Sequence, residues 1–207
     1  MRVLLVNGSP KEAGCTFTAL GFVAEELEAA GIETKLFQLG TDPIEGCRAC
    51  NGCRGKGLCV VDDLVNVFIE EAKSADGFVF GTPVHFASAG GKITSFMDRL
   101  FYAGMRKPFR GKPAAALASC RRGGASATLD QLYKYFAFSH MPIVSSQYWN
   151  MIHGSNPDDV RQDLEGVQTM RVLGKNMAWL LQCIEAGKQA GIDFPKPGPV
   201  TYTSFIR

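Results

Sequence analysis

Apolar runs of strand length alternate along this chain with stripes of helical period, and this alternation constrains the fold more than any other feature. Val3 to Val6 gives way to Phe17, Leu20, Val23, Ala24 and Leu27, then to a weaker extended run from Thr34 to Leu39, the pattern of a βαβ unit. Asp62 and Asp63 cap a second helix carrying Leu64, Val67 and Phe68, and Gly77 to Phe80 reads as a fully buried strand. Ile93, Phe96, Met97 and Leu100 stripe a third helix, and Ala114 to Ser119 form a fourth strand. Leu129, Leu132, Tyr133 and Phe136 stripe a fourth helix, and Pro142 to Ser146 give a fifth strand. One long last helix is predicted from Pro157-Asp158 through Leu164, Val167, Met170, Leu173, Met177, Leu181 and Ile184. Five strands alternating with five helices require a parallel sheet covered on both faces, a doubly wound α/β fold, because right-handed crossovers return each helix over the sheet.

A length of 207 residues with 46% hydrophobic content suits a single core, and the predicted domain spans 1–187. The remainder, 188–207, changes character: three prolines precede the β-prone run Val200 to Phe205. It is read as an arm, either frayed or packed on another subunit as an added strand. The net charge of +2 and the lack of long single-sign runs give no support to a nucleic-acid or membrane surface. The first strand begins at once and no apolar run reaches membrane-spanning length, so a cytoplasmic protein is expected.

The loop Asn7 to Thr16 lies at the carboxyl edge of the sheet, where open α/β sheets bind ligands. A phosphate there is stabilised by helix N-terminal N–H groups and by the hydroxyls of Ser9, Thr16 and Thr18, with charge from Lys11. The loop has neither a Gly-x-Gly-x-x-Gly nor a Walker Gly-Lys-Ser/Thr, which disfavours a dinucleotide fold and an ATPase and suits a monophosphate.

Four cysteines fall within thirteen residues as Cys47-x2-Cys50-x2-Cys53-x5-Cys59, in a glycine-rich loop spanning 46–60. Compact thiolate runs of this kind hold iron-sulfur clusters, whose negative charge Arg48, Arg54 and Lys56 would offset. Structural zinc sites usually separate two Cys-x2-Cys pairs by more residues, and disulfides are disfavoured in a reducing cytosol. Cys120 and Cys183 are read as small buried hydrophobes. Tyr148 and Trp149 are read as core or interface packing, with a place flanking the flavin or an adjacent subunit as the alternative; adjacent Arg121 and Arg122 are read as solvent-facing, with contact to a nicotinamide cofactor's phosphates as the alternative; His140 and His153 are given no role.

Gly8-Ser-Pro-Lys11 with Gly14-Cys15-Thr16 resembles the FMN phosphate loop of the NADPH-dependent FMN reductase branch of the flavodoxin-like superfamily, with Cys15 where Asn or Ser is more usual. Gly81 to Arg99 resembles the family's second flavin loop, in which Thr82, Pro83, Val84, His85 and Phe86 form the turn against the isoalloxazine ring. His85 stands where Tyr is commoner and is a candidate for tuning the flavin. Ser119 to Gly124 matches the third loop, where Gly123 and Gly124 let backbone approach a flat ring. The cysteine loop followed by Val60-Val-Asp-Asp63 resembles the iron-sulfur flavoproteins of anaerobes, and the likeness runs through about Ile184, including Asn156-Pro-Asp and Gly166-Val-Gln-Thr169. The resemblance implies strand order 2-1-3-4-5, bound FMN with chemistry on the flavin rather than on a catalytic side chain, and a 4Fe-4S cluster held by Cys47, Cys50, Cys53 and Cys59. It also implies a homodimer or homotetramer in which the cluster lies near a neighbouring subunit's flavin.

Three functions follow from these features. The first is electron transfer through FMN and a cluster, with small redox proteins, NAD(P)H or quinone-like acceptors as partners. The second is a cluster-free NAD(P)H-dependent FMN or quinone reductase, told apart by steady-state NAD(P)H oxidation. The third is a metal- or redox-sensing binding module in which the thiols hold zinc, told apart by an absence of bound flavin.

Overall fold

The structure, a computed structural model, describes residues 1–104, 107–196, 198, 199, 201–203 and 205. The strands among them are β1 (Arg2–Asn7), β2 (Glu33–Gln38), β3 (Gly77–His85), β4 (Ser88–Ala89), β5 (Ala114–Cys120) and β6 (Met151–His153). The helices are α1 (Cys15–Ala29), α2 (Leu64–Ala72), α3 (Gly91–Ala103), α4 (Ala125–Phe138), α5 (Pro157–Gln162) and α6 (Leu164–Gln189). The parallel strands lie in the order β2-β1-β3-β5-β6, which is the flavodoxin-like 2-1-3-4-5 arrangement once β4 is set aside. β4 is an addition to the expected five: it pairs antiparallel with the end of β3.

Two-residue periodicity sorts the strand side chains into two cores. Val3 and Leu5 face α1 and α6, where they meet Leu20, Val23, Met170, Leu173 and Met177. Leu4 and Val6 face the other side with Phe68, Phe78, Phe80, Phe96 and Phe136. There the Phe68 and Phe96 rings meet edge to face at 5.4 Å, the arrangement favoured by the aromatic quadrupole. On the first face α1 and α6 approach closely at Gly174, where a Cβ would lie 2.8 Å from the Val23 carbonyl oxygen.

Two expected elements are corrected. The run from Pro142 to Ser146 is not the fifth strand: it contributes only an isolated bridge between Ile143 and Ala114, and regular pairing with β5 resumes at Met151–His153. Asn150 fills the gap, its buried amide donating to the Ala116 carbonyl at 3.0 Å while its own carbonyl accepts from the Ala118 N–H at 2.9 Å. The last helix is also broken in two. The Asp163 carboxylate accepts from the Gly166 N–H at 3.0 Å and from the His153 N–H at 2.7 Å, ending α5 and capping α6.

Helix α6 runs to Gln189, two residues beyond the expected end of the domain at 187. Phe194 then lies beneath the Arg110 guanidinium, 5.3 Å from ring centroid to cation. Of the β-prone run, Val200 and Ser204 lie outside the described residues; Tyr202 and Phe205 are exposed. No described helix is long and apolar enough to cross a membrane.

Candidate functional site

Three helices begin at the carboxyl edge of the sheet without a side-chain cap. Gly14 precedes α1, Gly90 precedes α3 and Gly124 precedes α4, and none supplies a side-chain acceptor. By contrast, α2, α5 and α6 are capped by Asp63, Asn156 and Asp163. Among the described residues, no N-cap side chain caps the first turns of α1, α3 and α4, whose N–H groups carry the positive ends of the helix dipoles. Such termini bind anions.

Between α1 and α4 lies a cleft of about 210 Å³ lined by Ser9, Lys11, Cys15, Thr16, Pro83, Val84, His85 and Ser119. Its floor is rigid. Gly8 donates to the Gly81 carbonyl at 2.8 Å, and a Cβ on Gly8 would collide with that oxygen at 2.9 Å. The Ser9 N–H donates to Asn7 Oδ1 at 3.1 Å, the Lys11 N–H to Ser9 Oγ at 3.1 Å, and Gln38 Nε2 to the Ser9 carbonyl at 2.7 Å. The hydroxyls of Thr16 and Ser119 meet at 2.8 Å and join the first loop to the third.

Other residues predicted from sequence stand elsewhere. Thr18 is buried with its hydroxyl donating to the Gly14 carbonyl at 3.1 Å, and Thr82 is buried with its hydroxyl turned to the Pro83 carbonyl. Phe86 is fully exposed at the tip of the β3–β4 hairpin. There Phe86 and Ala87 both have positive φ, 50° and 59°, the twist-matched pattern of a tight hairpin held here by residues that seldom adopt it. Gly124 at φ 92° packs beneath that turn, and a Cβ on it would lie 2.5 Å from Ala87 Cα. Gly123 has open space around its Cα.

The cleft also takes in Pro10, Cys120 and Arg121, which lie within the phosphate loop and third loop matched from sequence, and Gly154, which sequence reasoning did not assign. Gly154 follows β6, and Cys15 Sγ approaches its carbonyl at 3.6 Å. Once the fifth strand was placed at Pro142 to Ser146, nothing in the sequence marked Gly154. Cys120 is buried as expected, and burial pushes its thiol pKa up. Cys183, read as buried, is instead exposed on α6. Tyr148 and Trp149 are about half exposed and pack edge to face on each other at 4.6 Å. His153 Nδ1 lies 3.3 Å from Asp163.

The cysteine loop crosses the same carboxyl edge between β2 and α2. Cys47, Cys50, Cys53 and Cys59 line one small cavity of about 20 Å³ with Arg99, Tyr102 and Val60, room for about one water. Burial, with the neighbouring Cys59, Cys47 and Cys50, pushes the Cys53 thiol pKa up. Ala49 and Asn51 hold left-handed φ of 52° and 59°. At Gly52 an added Cβ would lie 2.5 Å from Val60 Cγ1, so a larger residue there would have to displace the half-exposed Val60 side chain. Asn66 pins the end of the loop, accepting from the Cys59 N–H at 2.7 Å and donating to the Cys59 carbonyl at 3.0 Å. Four soft thiols around one cavity are a donor set suited to iron-sulfur chemistry. As placed, no group of three or more His, Cys, Asp or Glu side chains among the described residues is close enough to hold a metal ion.

Fold and cleft together define a flavodoxin-like flavoprotein. The chain belongs to the NADPH-dependent FMN reductase family, which it matches over residues 1–156, and to its iron-sulfur flavoprotein branch. It is a flavin-dependent oxidoreductase. It is 31% identical to an iron-sulfur flavoprotein of Methanocaldococcus jannaschii, covering 89% of this chain and 100% of that one. An iron-sulfur flavoprotein of Methanosarcina thermophila is 24% identical over 91% of this chain and 99% of its own. Among solved structures, a WrbA-like flavodoxin from Agrobacterium tumefaciens superposes with a TM-score of 0.60 at 17% identity, covering 88% and 96% of the two chains, which shows the shared fold.

Proposed function

We propose that this protein transfers electrons through FMN bound at the cleft between α1 and α4 and through a 4Fe-4S cluster held by Cys47, Cys50, Cys53 and Cys59. The observation that carries the reading is that all four cysteines of the loop line one cavity at the same sheet edge as three uncapped helix N-termini. When bound, FMN supplies exchange between two-electron and one-electron transfer, and the cluster supplies single-electron relay. The chain's own residues bind and orient. Ser9, Lys11 and Thr16 hold the phosphate at the start of α1, while Pro83, Val84 and His85 form a wall for the ring and Ser119 ties the loops together. Gly124 brings the third loop in under the hairpin that carries Phe86. In the cytoplasm the partners would be NAD(P)H, small redox proteins or quinone-like acceptors, with the chain acting as a homodimer or homotetramer.

The small space between the thiols favours a second reading, a cluster-free NAD(P)H-dependent FMN or quinone reductase. Anaerobic absorption spectra with iron, zinc and acid-labile sulfide analysis separate the two. Flavin bands with about four irons and four sulfides per chain support the first reading; flavin without iron supports the second. The variant Cys50→Ser is expected to lose iron while keeping FMN affinity, and equal loss of both would mean that the two sites are not separate as proposed.

A further inference from the structure

Arg99 is buried to an unusual degree for its type, with 1% of its side chain exposed. It projects from α3 into the cysteine loop. Nη1 and Nη2 form a fork on the Asp63 carboxylate at 2.6 and 2.9 Å. Nη2 also donates to the Val61 carbonyl at 2.9 Å, and Nη1 reaches the Glu45 carbonyl at 3.4 Å. Glu45 precedes the first cysteine, and Val61 and Asp63 follow the last, so one guanidinium closes both ends of the loop. Those contacts account for a structural role completely. They do not account for the remaining donor: Nε points at Cys59 Sγ, 3.4 Å away, within reach of a hydrogen bond to sulfur.

Because the guanidinium is planar, the fork on Asp63 fixes the direction of the Nε–H bond, and that direction is toward a thiol of the cluster set. Cys59 is held from two sides, its backbone by Asn66 and its sulfur by Arg99. We propose that Arg99 is a positioning residue of the thiolate site, whose Nε–H orients Cys59 and raises the reduction potential of an iron-sulfur cluster bound there. This inference rests on the cluster reading above. A hydrogen bond to a ligand sulfur draws electron density from it and eases uptake of an electron, one of the protein's main levers on such potentials. Asp63 offsets the net charge of Arg99, so the local hydrogen bond is the part directed at the sulfur. Lysine cannot replace it, because one ammonium does not present a bidentate fork and a separate, fixed donor.

The test uses anaerobically purified holoprotein, wild type and Arg99→Lys, assayed for iron and FMN per chain and then titrated redox-potentiometrically with spin-resonance detection of the reduced cluster. Arg99→Lys is expected to keep iron and FMN while its cluster potential falls below that of the wild type and the flavin potential stays put. An unmoved cluster potential with iron retained overturns the proposal. If Arg99→Lys does not fold, wild-type protein grown with isotopically labelled arginine nitrogen decides. A hyperfine signal from that nitrogen at the reduced cluster, surviving in Arg48→Lys and Arg54→Lys, is expected; its absence overturns the assignment. Iron-free wild type would overturn the cluster reading and this inference together, and the iron assay registers that before any potential is read.

Discussion

The two isolated cysteines illustrate what one residue's surroundings decide. Cys120 is 7% exposed at the end of β5, and burial holds its thiol pKa above the ordinary range. Less thiolate is then present at any given pH, so alkylation requires more alkaline conditions. Cys183 is exposed. In a peptide-mapped iodoacetamide time course at mildly alkaline pH, Cys183 is expected to be labelled well before Cys120, whose labelling rate should keep rising into alkaline pH. Faster labelling of Cys120 would contradict its burial. The sign of the linkage is that of an acid protonated in the native state: its effect on stability is absent below the ordinary thiol pKa and becomes destabilising as pH rises through it. The sequence contained the distinction. The buried stripe of α6 runs Met170, Leu173, Met177, Leu181, and Cys183, two positions past Leu181, points well away from that face at about 100° per residue. The general tendency of cysteine to be buried gave the opposite answer.

At the scale of elements, central pieces were legible and edges were not. β1, β3 and β5 are nearly continuous apolar runs because both faces of a parallel sheet are covered, and their positions follow from hydrophobicity alone. β6 is an edge strand of three residues whose gap is bridged by the Asn150 side chain, and no periodicity encodes such a substitution. The break at Asp163 had a local signal, an Asp three residues ahead of Gly166, which the longer apolar stripe obscured. The close approach of α6 to α1 was hidden because glycine carries no pattern. At Gly174 an added Cβ would meet the Val23 carbonyl oxygen at 2.8 Å and Glu26 Cβ at 2.8 Å. Backbone cannot yield as a flexible side chain does, so α6 would have to shift off α1. Gly174→Ala is therefore expected to destabilise the fold by roughly 1–3 kcal/mol, despite alanine's better helix propensity. Chemical denaturation monitored by circular dichroism checks this, and a neutral or stabilising result would show that the two helices have slack.

The whole molecule is polarised along its strands. At their carboxyl ends lie the uncapped helix termini, the cleft lined by Ser9, Pro83 and Ser119, and the four-thiol cavity. The loops that make this edge were readable because their glycines, hydroxyls and cysteines cluster between predicted strands and helices; Gly154 was not, since it joins the cleft only through the tertiary path of β6. At the amino ends of the strands, Met1, Asp76 and Pro113 line a separate cavity of about 500 Å³ with Leu181, Ile184, Ile192 and Phe194. Ile192 to Pro195, just after α6, thus pack at the edge away from the proposed flavin cleft, with Phe194 beneath Arg110, whereas Tyr202 lines a cavity with Cys53 and Arg54 of the cysteine loop. If the two edges are energetically separate, a chain ending at Gln189 should keep its full flavin content and FMN affinity. Among the described contacts it should lose the Arg110–Pro195 hydrogen bond, the place of Tyr202 beside the cysteine loop, and the packing of Ile192 and Phe194, about 1.5–3 kcal/mol for each apolar side chain if fully buried and less here, where they are 70% and 47% exposed. A modest fall in melting temperature with unchanged flavin fluorescence titration is the expected result. Loss of FMN from the shortened chain would mean that the residues after Gln189 support FMN binding, so that the two edges are energetically coupled.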